Sequence, residues 1–225
     1  AIALNRLIDS PHRPRRPLRQ AIARVFLETC APFSAGLEIG QRFGFDSGLM
    51  IDYVCRNNSE GAGFAGRWID RWFLNRFGWP ALRERKHRLQ ESLRDLIRLH
   101  RPSEHEIHLV DLGCAPARYL IELLGEIGHA GVFATVLDPD PVSLGEGRRL
   151  AEVLGRERID FVRADPLDPG RTPTFARRPD IVIVSGLLDR MDADPEVRWL
   201  LSGVRDMLAP GGQFVFTVQC GDRDP

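Results

Sequence analysis

The 225-residue sequence has no excess of either charge: 31 Lys and Arg stand against 31 Asp and Glu. Without a global basic field, nothing steers the chain toward nucleic acid, and no nucleic-acid partner is expected. Cysteine is scarce and scattered. Cys30, Cys55, Cys114 and Cys220 form no metal-type pair, so free and mostly buried thiols in a reducing, cytoplasmic compartment are expected. His100, His105 and His108 lack the spacing of a zinc-binding helix and Pro102 interrupts them, so no metal is expected there. There is no apolar run long enough to span a membrane and no secretory leader to be expected. The chain opens on Ala1 and not on Met, as a fragment or processed product would.

What is present suits a folded domain. Hydrophobic residues make up 43% and charged residues 28%, which supplies an ordinary core and argues against general disorder. The length fits one domain with an added helical piece. Basic residues cluster in "HRPRRPLR" (His12 to Arg19) and "RERKHR" (Arg83 to Arg88), read as a solvated linker and a helix face. Residues 1–20 are therefore a basic Pro/Arg-rich linker.

Residues 21–103 read as a helical region that could serve as a lid. Leu18, Ile22, Val25 and Phe26 open a first helix, and "FDSGLMIDYVCRNNSEG" holds a second capped by Asp46 or Ser47. A third carries Trp68, Phe73 and Phe77 on an apolar side and stops at Gly78. A fourth runs from Pro80, suited to a first helical position, to about His100. Over 104–225 the period changes. "IHLVDLG", "GVFATVLD", "IDFVRAD", "PDIVIVSGLL" and "QFVFTVQ" read as strands separated by helical stretches, apart from the link between the third and fourth. The expectation is an α/β fold whose parallel sheet is covered on both faces.

The strand ends carry the chemistry. Strand one ends at Asp111 and Gly113, strand two at Asp138, strand three at Asp165, and strand four at Ser185 and Gly186. In an open parallel sheet, ligands bind beyond those ends. Each carboxylate alone could be a helix N-cap, but three in succession suit a ligand better. A carboxylate after strand two can accept from a ribose diol, and one after strand three from an adenine amine. Gly113 lets backbone approach closely, and the following helix offers its positive end to an anion. A dinucleotide would want G-x-G-x-x-G, whereas Ala115 and Arg118 occupy the later positions here. S-adenosylmethionine needs no diphosphate cradle, and Asp111 stands where its cationic amino-acid end would be met.

"VDLGCAPARYL", "VLDPD", "VRADPLD" and "LAPGGQFVFT" resemble the successive motifs of class I S-adenosylmethionine-dependent methyltransferases. "FDSGLMIDYVCRN", "GWPALRERK", "ARYLIELL" and "IVSGLL" resemble more narrowly a family of bacterial methyltransferase domains often fused behind an α/β-hydrolase. The likeness runs from about Phe33 to Thr217. It implies a Rossmann-like sheet, S-adenosylmethionine as cofactor, and a small-molecule or lipid methyl acceptor. It also implies an α/β-hydrolase domain as fused or associated partner. The cofactor residues implied are Asp111, Gly113, Ala115, Asp138, Asp165 and Ser185. Ala115 and Ala117 replace glycines usual in the superfamily, and Leu188, which closes "SGLL", is not aromatic where an aromatic-acidic stretch is expected.

Candidates near the chemistry are Tyr53 and Arg56 in "DYVCRN" and Asp189 after strand four. For Asp52 with Arg56 the plainer reading is an i, i+4 ion pair, and Tyr53 equally suits a core. Two other functions remain open: an inactive methyltransferase-like scaffold and a nicotinamide oxidoreductase. Only five strands are present where the class has seven, so strand five should offer unpaired backbone and the side chains of Phe214 and Phe216. Self-association and weak turnover are the expected consequences.

Overall fold

A computed structural model describes residues 29–76, 78–100, 106–128, 131–166, 168, 175–191 and 194–218. The expected linker and the helix beginning at Leu18 lie outside these residues, apart from the helix's last turn. Contacts divide the chain at Lys86 and His87 into two compact units.

The first unit is helical. A 3-10 turn (Ala31–Phe33) leads into α1 (Ala35–Phe43), α2 (Gly48–Arg56) and α3 (Gly63–Leu74). Ser47, not Asp46, caps α2: its hydroxyl accepts from the Met50 amide at 3.2 Å and donates to the Gly44 carbonyl at 2.7 Å. Helix α1 was not anticipated, because two of its nine residues, Gly36 and Gly40, are poor helix formers. Its reason is tertiary, since a Cβ at those positions would run into Phe73, Tyr53 and Phe45. Leu37, Met50, Tyr53, Val54, Phe73 and Leu74 form the core. The broad apolar side expected of α3 is narrower: Phe73 is buried but Trp68 is 64% exposed. That helix ends at Leu74, short of Gly78, and Phe77 lies outside the described residues.

One carboxylate organises this unit. Asp70, fully buried, accepts from Ser34 Oγ at 2.6 Å, Gly36 N at 3.0 Å and Glu60 N at 2.9 Å, and from the Tyr53 hydroxyl. Four donors converge on one charge, which compensates its loss of water.

Helix α4 (Trp79–His100) crosses the division, and its later turns place Leu89, Leu93 and Ile97 in the core of the second unit. There follow β1 (Ile107–Leu112), α5 (Arg118–Ile127), β2 (Val132–Asp138), α6 (Pro141–Val153), β3 (Ile159–Arg163), β4 (Ile181–Ser185), α7 (Asp194–Met207) and β5 (Gln213–Thr217). The sheet is wholly parallel with order β3-β2-β1-β4-β5, so the order reverses between β1 and β4. Alternate residues face opposite layers. Leu109, Val136 and Ile183 pack with α4, α5 and α6, while Val110, Leu112 and Val184 pack with Leu200 and Val204 of α7. Each fully buried Leu or Val contributes on the order of 1.5–3 kcal/mol.

Among the described residues β5 pairs with β4 alone; Phe216 is 52% exposed, and Phe214 packs partly buried against the α7 side. Cys30, Cys55 and Cys114 form no disulfide and are only half-buried, less covered than expected. Cys220 lies outside the described residues, as does His105. No described helix is long and apolar enough to cross a membrane.

Candidate functional site

The carboxyl ends of β1 and β2 meet around one turn. Gly113 follows β1 with φ +72°, and its amide donates to the Leu137 carbonyl at 2.7 Å, tying the turn to β2. A Cβ there would meet Leu187 at 3.3 Å, so both backbone and space select glycine. The Ala115–Pro116 peptide is cis, and Ala117 sits left-handed (φ 56°) as the N-cap of α5. A glycine would hold that conformation without strain; alanine holds it at a cost of roughly 1–2 kcal/mol.

Asp138 is the buckle of this turn. One carboxylate oxygen accepts from the Ala115 amide at 3.2 Å and the other from the Asp140 amide at 2.9 Å. Helix α6 is capped two residues later, where Asp140 accepts from the Ser143 hydroxyl, Val142 N and Ser143 N; against the opposing effect of burial these bonds hold its carboxyl below the usual range. Thus neither Asp111 nor Asp138 is an N-cap, and the caps of the two helices that follow them are Ala117 and Asp140. Asp165, two residues beyond β3, is exposed. Ser185 ends β4 half-buried, its hydroxyl 3.2 Å from that of Thr217 on β5, which also accepts from Gly186 N at 3.1 Å. Thr217 was not anticipated. Its pairing depends on the register of β4 against β5, which residue order alone does not reveal.

Asp111 differs from all of these. It is fully buried, and neither carboxylate oxygen has a hydrogen-bond partner among the described residues. Burial pushes its pKa up to about 7; the Tyr119 hydroxyl opposes this, and the nearby Asp138 charge adds to it. The Tyr119 hydroxyl faces the carboxyl without closing a bond of ordinary geometry and is itself unpartnered. A buried carboxyl in this condition costs the fold several kcal/mol. A cationic group brought to it would offset that cost, which fits the ammonium end of S-adenosylmethionine. Residue order alone gives Tyr119 no role beyond its place in "VDLGCAPARYL". Its place in the first turn after the glycine turn was the available signal.

The remaining candidates are held elsewhere. Tyr53 is wholly buried, hydrogen-bonded to Asp70, and its pKa is pushed far up by burial and that bond. Arg56 pairs with Asp52 at 3.3 Å, the i, i+4 pair expected, and with Glu60 at 2.9 Å. Asp189 is exposed on the 3-10 turn (Leu188–Arg190) that follows β4. Among the described residues no group of three His, Cys, Asp or Glu is placed to hold a metal. A groove of about 310 Å³ lies on the α7 side of the sheet, lined by Leu112, Leu137, Ala164, Pro166, Trp199 and Met207 among others. It is on the face opposite Asp111.

A glycine turn at the first strand, carboxylates ending β1 and β2, and the 3-2-1-4-5 parallel order define the class I S-adenosylmethionine-dependent methyltransferase fold. The chain matches the protein family described as "Putative methyltransferase" over residues 3–222, and it belongs to that family. It is 28% identical over 218 residues to the uncharacterized protein YnbC of Escherichia coli K12, a match covering 95% of this chain and 37% of that protein. It is 30% identical over 135 residues to ribosomal RNA large subunit methyltransferase E of an Anaeromyxobacter strain, covering 58% of this chain and 48% of that one. The chain thus spans less than half the length of both curated relatives. A crystal structure of a possible exported protein from Bordetella parapertussis shares the fold, with 21% identity, a TM-score of 0.62, and coverage of 95% of this chain and 67% of that one. Neither a nicotinamide oxidoreductase nor an inactive scaffold finds support in these matches.

Proposed function

We propose that the chain binds S-adenosylmethionine beyond the ends of β1, β2 and β3 and methylates a small-molecule or lipid acceptor. The observation that carries the reading is the Asp111 carboxyl, buried without a partner two residues before a positive-φ glycine. In this reading Asp111 receives the cofactor's ammonium group. Asp138 takes the ribose diol, a carboxylate being able to accept more than the two backbone bonds it makes. Asp165 reaches the adenine amine, and the Gly113–Ala115 turn and Ser185 border the ligand.

When bound, the cofactor would supply a sulfonium-activated methyl group for transfer to an acceptor lone pair. The protein's share is alignment and exclusion of water. Tyr53 and Arg56 hold the helical unit together; in this reading Asp189, exposed on the turn after β4, is the remaining candidate to accept a proton from an oxygen or nitrogen acceptor. We assign the reaction to the cytoplasm, where free half-buried thiols persist. An α/β-hydrolase partner, fused or associated, stays within this proposal.

Calorimetric titration with S-adenosylhomocysteine and with a nicotinamide dinucleotide tests it. The first should release heat and the second none. Heat from the dinucleotide alone would overturn the reading. Incubating the full chain with methyl-labelled cofactor and a bacterial small-molecule extract, followed by mass spectrometry, would then identify the acceptor.

A further inference from the structure

We propose that Tyr119 is a positioning residue of the cofactor site, its hydroxyl holding the Asp111 carboxylate for the cofactor's ammonium group. The inference rests on the assignment of Asp111 made above, and it adds a residue to which neither the glycine turn nor the strand-end pattern draws attention.

Three observations support it. Both carboxylate oxygens of Asp111 and the Tyr119 hydroxyl are buried with no partner among the described residues, and each acts electrostatically on the other. Their surroundings offer little else. Leu109 and Val136, the sheet residues sharing Asp111's face nearby, are apolar, as are Leu120 and Ile121 beside Tyr119 on α5. The charged or titratable groups acting on the pair are Asp138 from β2, which opposes ionisation of Asp111, and Cys114 from the turn, which acts on Tyr119. From α4 comes Gln90, which is neutral and donates to the Tyr119 backbone carbonyl at 2.9 Å. That bond anchors the residue's backbone and leaves its hydroxyl for Asp111.

The hydroxyl is therefore the side-chain group that acts in favour of the charged carboxylate, against burial and against Asp138. An ammonium ligand needs that charged form, so Tyr119 acts on cofactor binding through Asp111 without touching the cofactor. Because the carboxyl titrates near neutrality, the effect is confined to a pH window. Removing the donor raises the Asp111 pKa and shrinks the ionised fraction below and around neutral pH. Well above neutral pH the carboxylate is ionised with or without the donor.

The test compares wild type with Tyr119→Phe, which removes one oxygen and keeps the ring. Carbon-13 NMR titration of the Asp111 carboxyl without cofactor should show a midpoint near 7 in wild type and a higher one in the variant. Binding of S-adenosylhomocysteine should be about five- to tenfold weaker in the variant at pH ~6.5 and within about twofold at pH ~8.5. An unshifted midpoint, or an affinity ratio independent of pH, overturns the proposal. If Tyr119→Phe folds poorly, 3-fluorotyrosine at position 119 gives the opposite sign, a stronger donor that lowers the midpoint; an unchanged midpoint there is equally fatal. Asp111→Asn separates the two readings. Wild-type affinity in that variant defeats the cofactor assignment, while the NMR titration still decides whether Tyr119 governs Asp111.

Discussion

In the proposed reading, Asp111 sets a conflict between stability and binding at a single residue. Its folded pKa of about 7 lies above the unfolded value of 3.8, so its contribution to stability is complete below pH ~4 and is lost as pH rises through ~7. Asp111→Asn removes the titration. The variant without cofactor should match wild type near pH ~4 and be more stable above pH ~8, by up to roughly 4 kcal/mol at about 1.4 kcal/mol per pH unit. Thermal melts across that range measure the difference, and its affinity for S-adenosylhomocysteine should fall at least tenfold. Gly113→Ala has a different signature. With φ +72° and Leu187 at 3.3 Å from a new Cβ, it should lose about 1–2 kcal/mol at every pH and weaken cofactor binding as well. Asp138→Ala should reduce both affinity and stability, because the carboxylate holds the Ala115 and Asp140 amides whether or not a ribose is present. The two backbone bonds are the reason affinity and stability should fall together.

At the scale of elements, the helices of the first unit depend on Asp70 and on Ser47. Asp70→Ala strips the partner from four donors, two of them the backbone amides of Gly36 and Glu60, and should cost about 3–5 kcal/mol. Ser47→Ala removes the α2 cap and one bond to the Gly44 carbonyl and should cost about 1 kcal/mol. Chemical denaturation of the two variants orders these costs; comparable values would contradict the hub role of Asp70. The legibility of elements follows the same physics. Strands β1 and β4, buried on both faces, are apolar runs that cannot be mistaken for solvated loops. Helix α1 was not legible, since its glycines are accounted for only by Phe73, Tyr53 and Phe45 across the unit.

For the whole molecule, ligand linkage gives a direct measurement. S-adenosylhomocysteine at about 100 times its Kd should stabilise the folded chain by about 2.7 kcal/mol, seen as a rise in Tm, while a nicotinamide dinucleotide should leave Tm unchanged. The parallel order places Asp111, Gly113 and Asp138 at one end of adjacent strands, beside the reversal between β1 and β4 where open parallel sheets bind their ligands. Class and family therefore rest on topology and site together with the match over residues 3–222.

By itself the sequence determined the alternation of strand and helix, the glycine turn and the carboxylates at successive strand ends. These are local properties, written in periodicity and in the conformations that single residues tolerate. Tertiary structure decided what those residues do. It gave Asp138 two backbone donors and left Asp111 with none. It also brought Tyr119 to that carboxyl and Thr217 to Ser185, and withdrew Tyr53 into a core with Asp70. Burial and partnership set the charge state and reach of a polar group, and both depend on segments far apart in the chain.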